Sequence, residues 1–299
     1  MGKIAYVFSG QGDQFPGMGK DLYKKYPVAK IIYDLCDEIR PGTSEQSFNG
    51  TEDELKETRN TQPCLFAMEL AAASVLIDKG IFPDVTAGFS LGEVVAATIS
   101  GVFDNATGFR LVCKRGELMQ QEAEKYDTSM AAVVRLTPEQ VQDVCSKYSD
   151  IYSVNFNCPG QITVSGISSQ MPDFFADVKA AGGKAIPLKV KGAFHSPFMN
   201  HAAKAFAEEL KKADVKENTI PLYSNRTAKP YEDDVVSLLS SQICHPVQWE
   251  KIIRNMIADG VDTFIEIGPG KTLTNMIRKI SADVKAVNII EYLAEVEGC

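Results

Sequence analysis

The chain has 299 residues, 44% hydrophobic and 23% charged, a globular composition long enough to bury its own core without metal or disulfide staples. Its formal net charge of −8 argues against a general basic face, and so against broad binding to nucleic acid or to an anionic membrane. The seven cysteines (Cys36, Cys64, Cys113, Cys145, Cys158, Cys244 and Cys299) are odd in number and lack CxxC spacing, which fits free thiols in a reducing cytoplasm.

Residues 4–8 form a short apolar strand that runs into glycines, unlike the long apolar centre of a signal peptide. Tyr6 stands where a myristoylation signal needs Ser or Thr. Residues 63–79 have a helical pattern, with Pro63 suited to the first turn and Gly80 just past the end. Its apolar stretch, 65–77, carries Glu69 and is too short to span a bilayer. A strand at 85–89, a small-residue helix at 92–100 and a longer helix at 105–125 follow. Alternation of this kind predicts an α/β fold with a mainly parallel sheet.

The middle of the chain has a different order. Strands at 130–134, 152–156, 161–165 and 184–190 are interleaved with helices at 138–147 and 171–181. That β-α-β-β-α-β succession predicts a small ferredoxin-like domain, residues 127–193, inserted into a large hydrolase-like domain made of 1–126 and 194–299. A helix at 198–213 and strands at 221–224 and 263–267 complete the large domain.

Gly88-Phe89-Ser90-Leu91-Gly92 fits G-x-S-x-G between a strand and a helix. A sharp turn there pushes the serine side chain out at the top of the sheet. A helix starting at Ser90 would aim free N–H groups at the reacting centre, with the Leu91 N–H placed for an oxyanion. The plainer reading is a serine that only caps a helix.

A serine nucleophile needs a base, and the chain offers three histidines, His195, His201 and His245. His195 lies in the turn-rich Lys191-Gly192-Ala193-Phe194-His195-Ser196-Pro197 segment between a strand and a helix, the kind of loop that carries catalytic groups. His201 reads as a surface helix residue, and His245, before Pro246, as structural. No acidic residue stands out as a third member; a carbonyl can orient the ring instead.

Arg115 follows on the next helix. A guanidinium holds a carboxylate through two parallel hydrogen bonds, so an inward Arg115 would select acyl groups with a terminal carboxylate. From spacing alone, an exposed arginine paired with a nearby glutamate is the plainer reading. Gly10-Gln11-Gly12-Asp13-Gln14 fails the dinucleotide fingerprint because Phe15 replaces the third glycine, and it fails the phosphate-loop pattern too. A backbone N–H donor to an oxyanion suits this loop better.

Together these motifs resemble the malonyl-CoA:acyl carrier protein transacylases of bacterial type II fatty-acid synthesis, over nearly the whole chain. Gly10 to Gln14 is similar to the family's GQGxQ loop, Thr61-Gln62-Pro63 to its TQP segment, and Gly88 to Glu93 to its GHSLGE elbow. Arg115-Gly116, Asn155-Phe156-Asn157, Pro159-Gly160-Gln161, Gln242 and Gly268-Pro269-Gly270 match in order. One departure is Phe89, where the family usually has histidine. By family analogy, Phe194 before His195 goes with malonyl rather than methylmalonyl.

The resemblance implies Ser90 as nucleophile, His195 as base, Arg115 as ligand of the malonyl carboxylate, backbone N–H groups of Gln11 and Leu91 as oxyanion hole, and the Gln242 carbonyl as the group orienting His195. It implies malonyl-CoA as substrate, an acyl carrier protein with its phosphopantetheine arm as partner, and no metal or permanently bound cofactor. A cytoplasmic monomer, with no nucleic-acid or membrane partner, is expected. The alternatives are a trans-acting polyketide malonyltransferase, a serine hydrolase of esters or thioesters, and a catalytically silent carrier-binding scaffold. Lys184, Lys189 and Lys191 form a candidate basic patch for an acidic carrier.

Overall fold

Strands with apolar residues on both faces must be covered on both sides, and the chain builds its first sheet from such segments. The structure, a computed structural model, describes residues 2–232 and 234–298. In chain order its strands are β1 (Lys3–Phe8), β2 (Val85–Gly88), β3 (Thr128–Val134), β4 (Ile151–Cys158), β5 (Gln161–Ile167), β6 (Lys184–Lys191), β7 (Leu222–Tyr223), β8 (Val261–Ile267) and β9 (Lys285–Asn288). Five of them form a parallel sheet in the order β7-β2-β1-β8-β9. Ala5 to Phe8 and all of β2 are buried, as a strand sandwiched between helices requires.

The register sets Phe8 beside Gly88 on one side and Ile267 on the other. The loops after β1, β2 and β8 therefore leave the sheet at one edge, where β1 has neighbours on both sides. Open α/β sheets bind ligands at this kind of position, outside the carboxyl ends of the strands.

The helix Thr58–Asp78 is buried along almost its whole length, from Thr61 through Ala73 without interruption. Pro63 lies inside it, not in its first turn as expected. The helix begins five residues earlier because the Glu57 carbonyl accepts the Thr61 N–H, and the Thr61 hydroxyl bonds back to the Leu55 and Glu57 carbonyls. The structure adds helices at Lys20–Lys25, Pro27–Ile39, Thr43–Asn49, Glu52–Lys56, Val235–Ser241, Trp249–Ala258, Thr272–Ile280 and Ile289–Glu297, and the edge strand β9, to the elements expected.

The second sheet is antiparallel, in the order β4-β5-β3-β6, with helices Pro138–Cys145 and Met171–Ala180 in the connections. Ala131, Val133, Val141, Ile162, Phe174 and Val178 fill its own apolar cluster. Backbone hydrogen bonds stitch β4 to Val247: Phe156 N–H to the Val247 carbonyl and Val247 N–H to the Val154 carbonyl, both 2.9 Å. They fix the small sheet over the loop edge of the large one.

Candidate active site

The turn after β2 is forced by two glycines. A Cβ on Gly88 would sit 1.9 Å from the Gly92 carbonyl carbon, and one on Gly92 would sit 2.4 Å from the Phe8 carbonyl oxygen. Between them Ser90 has φ of 56°, a left-handed backbone unusual for a residue with a side chain and typical of a strained functional turn. The regular helix starts at Gly92, as the 92–100 pattern predicts, and Ser90 stays outside it because that left-handed residue cannot join a right-handed turn. Asn225, just past β7, holds the strained segment from outside. Its Oδ1 accepts the Ser90 N–H at 2.8 Å and its Nδ2 donates to the Gly88 carbonyl at 2.5 Å.

His195 also has positive φ, 61°, and its N–H donates to the Ile243 carbonyl at 3.1 Å. Its Nδ1 lies 2.8 Å from the Gln242 carbonyl oxygen, and its Nε2 lies 2.8 Å from Ser90 Oγ. A carbonyl can only accept, so Nδ1 carries the proton and Nε2 is left free to receive one. Burial, and then the Arg115 cation, push the imidazole down to about 4. Both causes disfavour the imidazolium, so the ring is neutral throughout the neutral range. We expect the imidazole NMR resonance that disappears in His195→Ala to titrate near pH 4. A midpoint at or above 6.5 would mean that the ring is solvated and out of the site.

Arg115 departs from the plainer expectation of an exposed, glutamate-paired side chain. It is fully buried, and its neighbour Lys114 takes Glu117 instead. The sequence spacing could not show this, because the partners come from other elements. Nη1 donates to Gln62 Oε1 at 2.8 Å, and Nη2 donates to Gln242 Oε1 at 2.8 Å and to Ser90 Oγ at 3.1 Å. Nε has no partner among the described residues. Burial lowers the guanidinium to about 10, which leaves it cationic at neutral pH. The site thus holds one hydroxyl, one neutral imidazole and one cation with an unused donor.

Gln11 and Leu91 line the same cavity, of about 80 Å³, as Ser90 and His195. Among the described residues neither backbone N–H has an acceptor. A wider cleft of about 230 Å³ adjoins it, sharing Gln11, Phe89, Asn155 and Leu188 and reaching Asn157 and Gln161. The side-chain oxygens of Asn155 and Asn157 are buried without partners. Phe89 packs edge-on against Trp249, with ring centroids 5.6 Å apart, and forms an apolar wall shared by both cavities.

The other candidates fall elsewhere. His201 is exposed on the helix Asn200–Leu210, and His245 commits Nδ1 to the Ser241 carbonyl at 2.7 Å. Cys299 and the Lys191 side chain lie outside the described residues, whereas Lys184 and Lys189 are exposed on β6. Sequence reasoning missed Gln62, Glu93, Asn225 and Tyr231 as parts of the site. Gln62 and Glu93 sit inside quoted motifs; Asn225 and Tyr231 carried no local signal. Among the described residues no cluster of three or more His, Cys, Asp or Glu could hold a metal, and no helix is long and apolar enough to cross a membrane.

Residues 5–295 match the family described as acyl transferase domain. The chain is 38% identical over 297 residues to the malonyl CoA-acyl carrier protein transacylase of Bacillus subtilis (strain 168), covering 97% of this chain and 94% of the relative. The crystal structure of the malonyl CoA-acyl carrier protein transacylase from Clostridium perfringens ATCC 13124 superposes with a TM-score of 0.94 at 34% identity, covering 99% of this chain and 98% of that one. A malonyl-transacylase solved in complex with a holo type II PKS acyl-carrier protein superposes at 0.95 with 30% identity, covering 99% and 100%.

Proposed function

The chain belongs to the acyl transferase domain family, as one of its malonyl CoA-acyl carrier protein transacylases, and from that premise we propose that Ser90 is its nucleophile, His195 its base, Arg115 its carboxylate clamp and Gln242 the residue that orients the base. The reaction moves a malonyl group from CoA to the phosphopantetheine thiol of an acyl carrier protein, in two steps through a malonyl-serine, and supplies fatty-acid biosynthesis. The observation that carries the residue roles is the meeting of His195 Nε2 and Arg115 Nη2 on one oxygen, Ser90 Oγ, at 2.8 and 3.1 Å.

In the first step Ser90 Oγ attacks the thioester carbonyl carbon as its proton passes to His195 Nε2. Negative charge on the carbonyl oxygen is met by the N–H groups of Gln11 and Leu91. The C–S bond breaks, and the CoA sulfur takes the proton from Nε2. In the second step the carrier thiol gives its proton to Nε2 while its sulfur attacks the ester carbon. The C–O bond breaks and Ser90 Oγ regains its proton. Arg115 holds the distal carboxylate, using donors that include the unpartnered Nε. The orphaned oxygens of Asn155 and Asn157 offer acceptors to the amide N–H groups of a pantetheine arm in the adjoining cleft. No permanently bound cofactor is called for; malonyl-CoA enters as substrate.

We read residues 127–193 as the small domain, inserted between 1–126 and 194–299, and the enzyme as a cytoplasmic monomer. Incubation with a panel of acyl-CoAs, followed by mass spectrometry of the Ser90 peptide, tests the assignment. A malonyl adduct on Ser90 that persists until carrier protein is added is expected. An ester that turns over in water alone would make the protein a hydrolase.

Lys184 and Lys189 lie on the free edge of the small sheet, on the strand that leads into His195. Carrier proteins are acidic, so reversing both charges to Glu is expected to raise KM for carrier protein roughly tenfold, with KM for malonyl-CoA unchanged. Equal effects on the two substrates would remove this edge as the docking surface.

A further inference from the structure

Behind the reacting groups lies a carboxylate that the mechanism above does not use. Glu93, on the first turn of the helix after Ser90, is fully buried. Its Oε1 accepts from the Asn225 N–H at 2.9 Å and the Tyr231 hydroxyl at 2.7 Å, and its Oε2 accepts from Gln242 Nε2 at 2.8 Å. Burial pushes the carboxyl up to about 7, against the pull of these three donors and of Arg115. A buried carboxylate with every contact a donor is an orienting device, since any change of donor–acceptor sense there leaves like groups facing each other.

The Gln242 amide is where that sense is passed on. Its Nε2 faces three acceptors, Glu93 Oε2, the Ser90 carbonyl at 2.6 Å and, more distantly, Asn225 Oδ1 at 3.4 Å, while its Oε1 faces Arg115 Nη2 at 2.8 Å. Reversed, the amide would set N–H against the guanidinium and oxygen against the carboxylate. We propose that Glu93 is a positioning residue for acyl selection: acting through the Gln242 amide, it holds the Arg115 guanidinium in the orientation that receives a carboxylate-bearing acyl group. This rests on the reading of Arg115 as the carboxylate clamp, which Arg115→Ala tests separately.

Glu93→Gln keeps the shape but puts an NH₂ group into a set of donors. Its malonyl kcat/KM is expected to fall about tenfold to hundredfold, the loss of one charged hydrogen bond, and acetyl kcat/KM to fall by much less, so that the malonyl to acetyl ratio drops. Glu93→Asp is shorter but remains an all-acceptor group, and it should keep most of the malonyl preference. A residue that only fills space would rank the two in the opposite order, because Gln is the isosteric replacement. In the Arg115→Ala background, Glu93→Gln should have no further effect on the malonyl to acetyl ratio. Additive effects, or equal losses with malonyl and acetyl, would overturn the proposal. So would an unchanged ratio in Glu93→Gln. If Glu93→Gln does not fold, Glu93→Asp decides alone, and loss of its malonyl preference is the overturning result. If Arg115→Ala leaves malonyl preference intact, the clamp reading fails whatever Glu93 does.

Discussion

Ser90→Ala is expected to fold normally and to form no adduct with malonyl-CoA, with transfer to carrier protein reduced by about 10⁶-fold, the scale seen when a serine nucleophile is removed. The folding half follows from what holds the turn. The left-handed backbone at residue 90 is fixed by the close approach of Gly88 and Gly92 and by Asn225, none of which needs the Ser90 hydroxyl. The chemical half follows from the lack of a substitute. The six described cysteines are unpaired, and burial raises every one of their thiols, so none offers a thiolate at neutral pH. Intact-mass measurement after exposure to malonyl-CoA checks both halves when read beside a melting curve. A malonyl adduct of normal yield on the folded variant would move the nucleophile away from Ser90.

How much of this was legible in the sequence depended on whether the cause of each feature was local. Gly88 and Gly92 could be read as a forced turn because both lie within the five residues that make it. His195 could be singled out because so few histidines exist and one sits at a strand-to-helix junction. The β-α-β-β-α-β succession was visible because β3 is an apolar run and β4, β5 and β6 alternate apolar with other residues, the period of a strand. Arg115 is the opposite case. Its burial depends on Gln62, 53 residues away, and Gln242, 127 residues away, so its helix position gave only a face and the exposed reading was the plainer one. Asn225 and Tyr231 follow a two-residue strand with no motif around them, and only the folded chain brings them to Gly88 and Glu93. The edge strand β9, Lys-Ala-Val-Asn, is too short to announce itself. Pro63 misled because proline favours a first turn, whereas here the threonine two residues before it ties the helix to an earlier start.

Arg115→Ala should divide the two acyl donors. Malonyl brings a carboxylate to the site, and the fully buried guanidinium is the cation already bonded to Ser90 Oγ. Removing one partner of a buried charged pair costs about 3 kcal/mol, so malonyl kcat/KM is expected to fall roughly 100-fold. Acetyl has no carboxylate to lose and gains space in a cavity of about 80 Å³, so its rate should hold or rise. Arg115→Lys separates charge from shape. An ammonium preserves the attraction but cannot bridge Gln62, Gln242 and a carboxylate with one planar fork, so its malonyl rate should fall between wild type and Ala. The measurement is kcat/KM for malonyl-CoA and acetyl-CoA with each variant. Parallel losses for both donors would show that Arg115 only supports the fold around Ser90, and selection of the diacid would then have to come from another group lining the cavity.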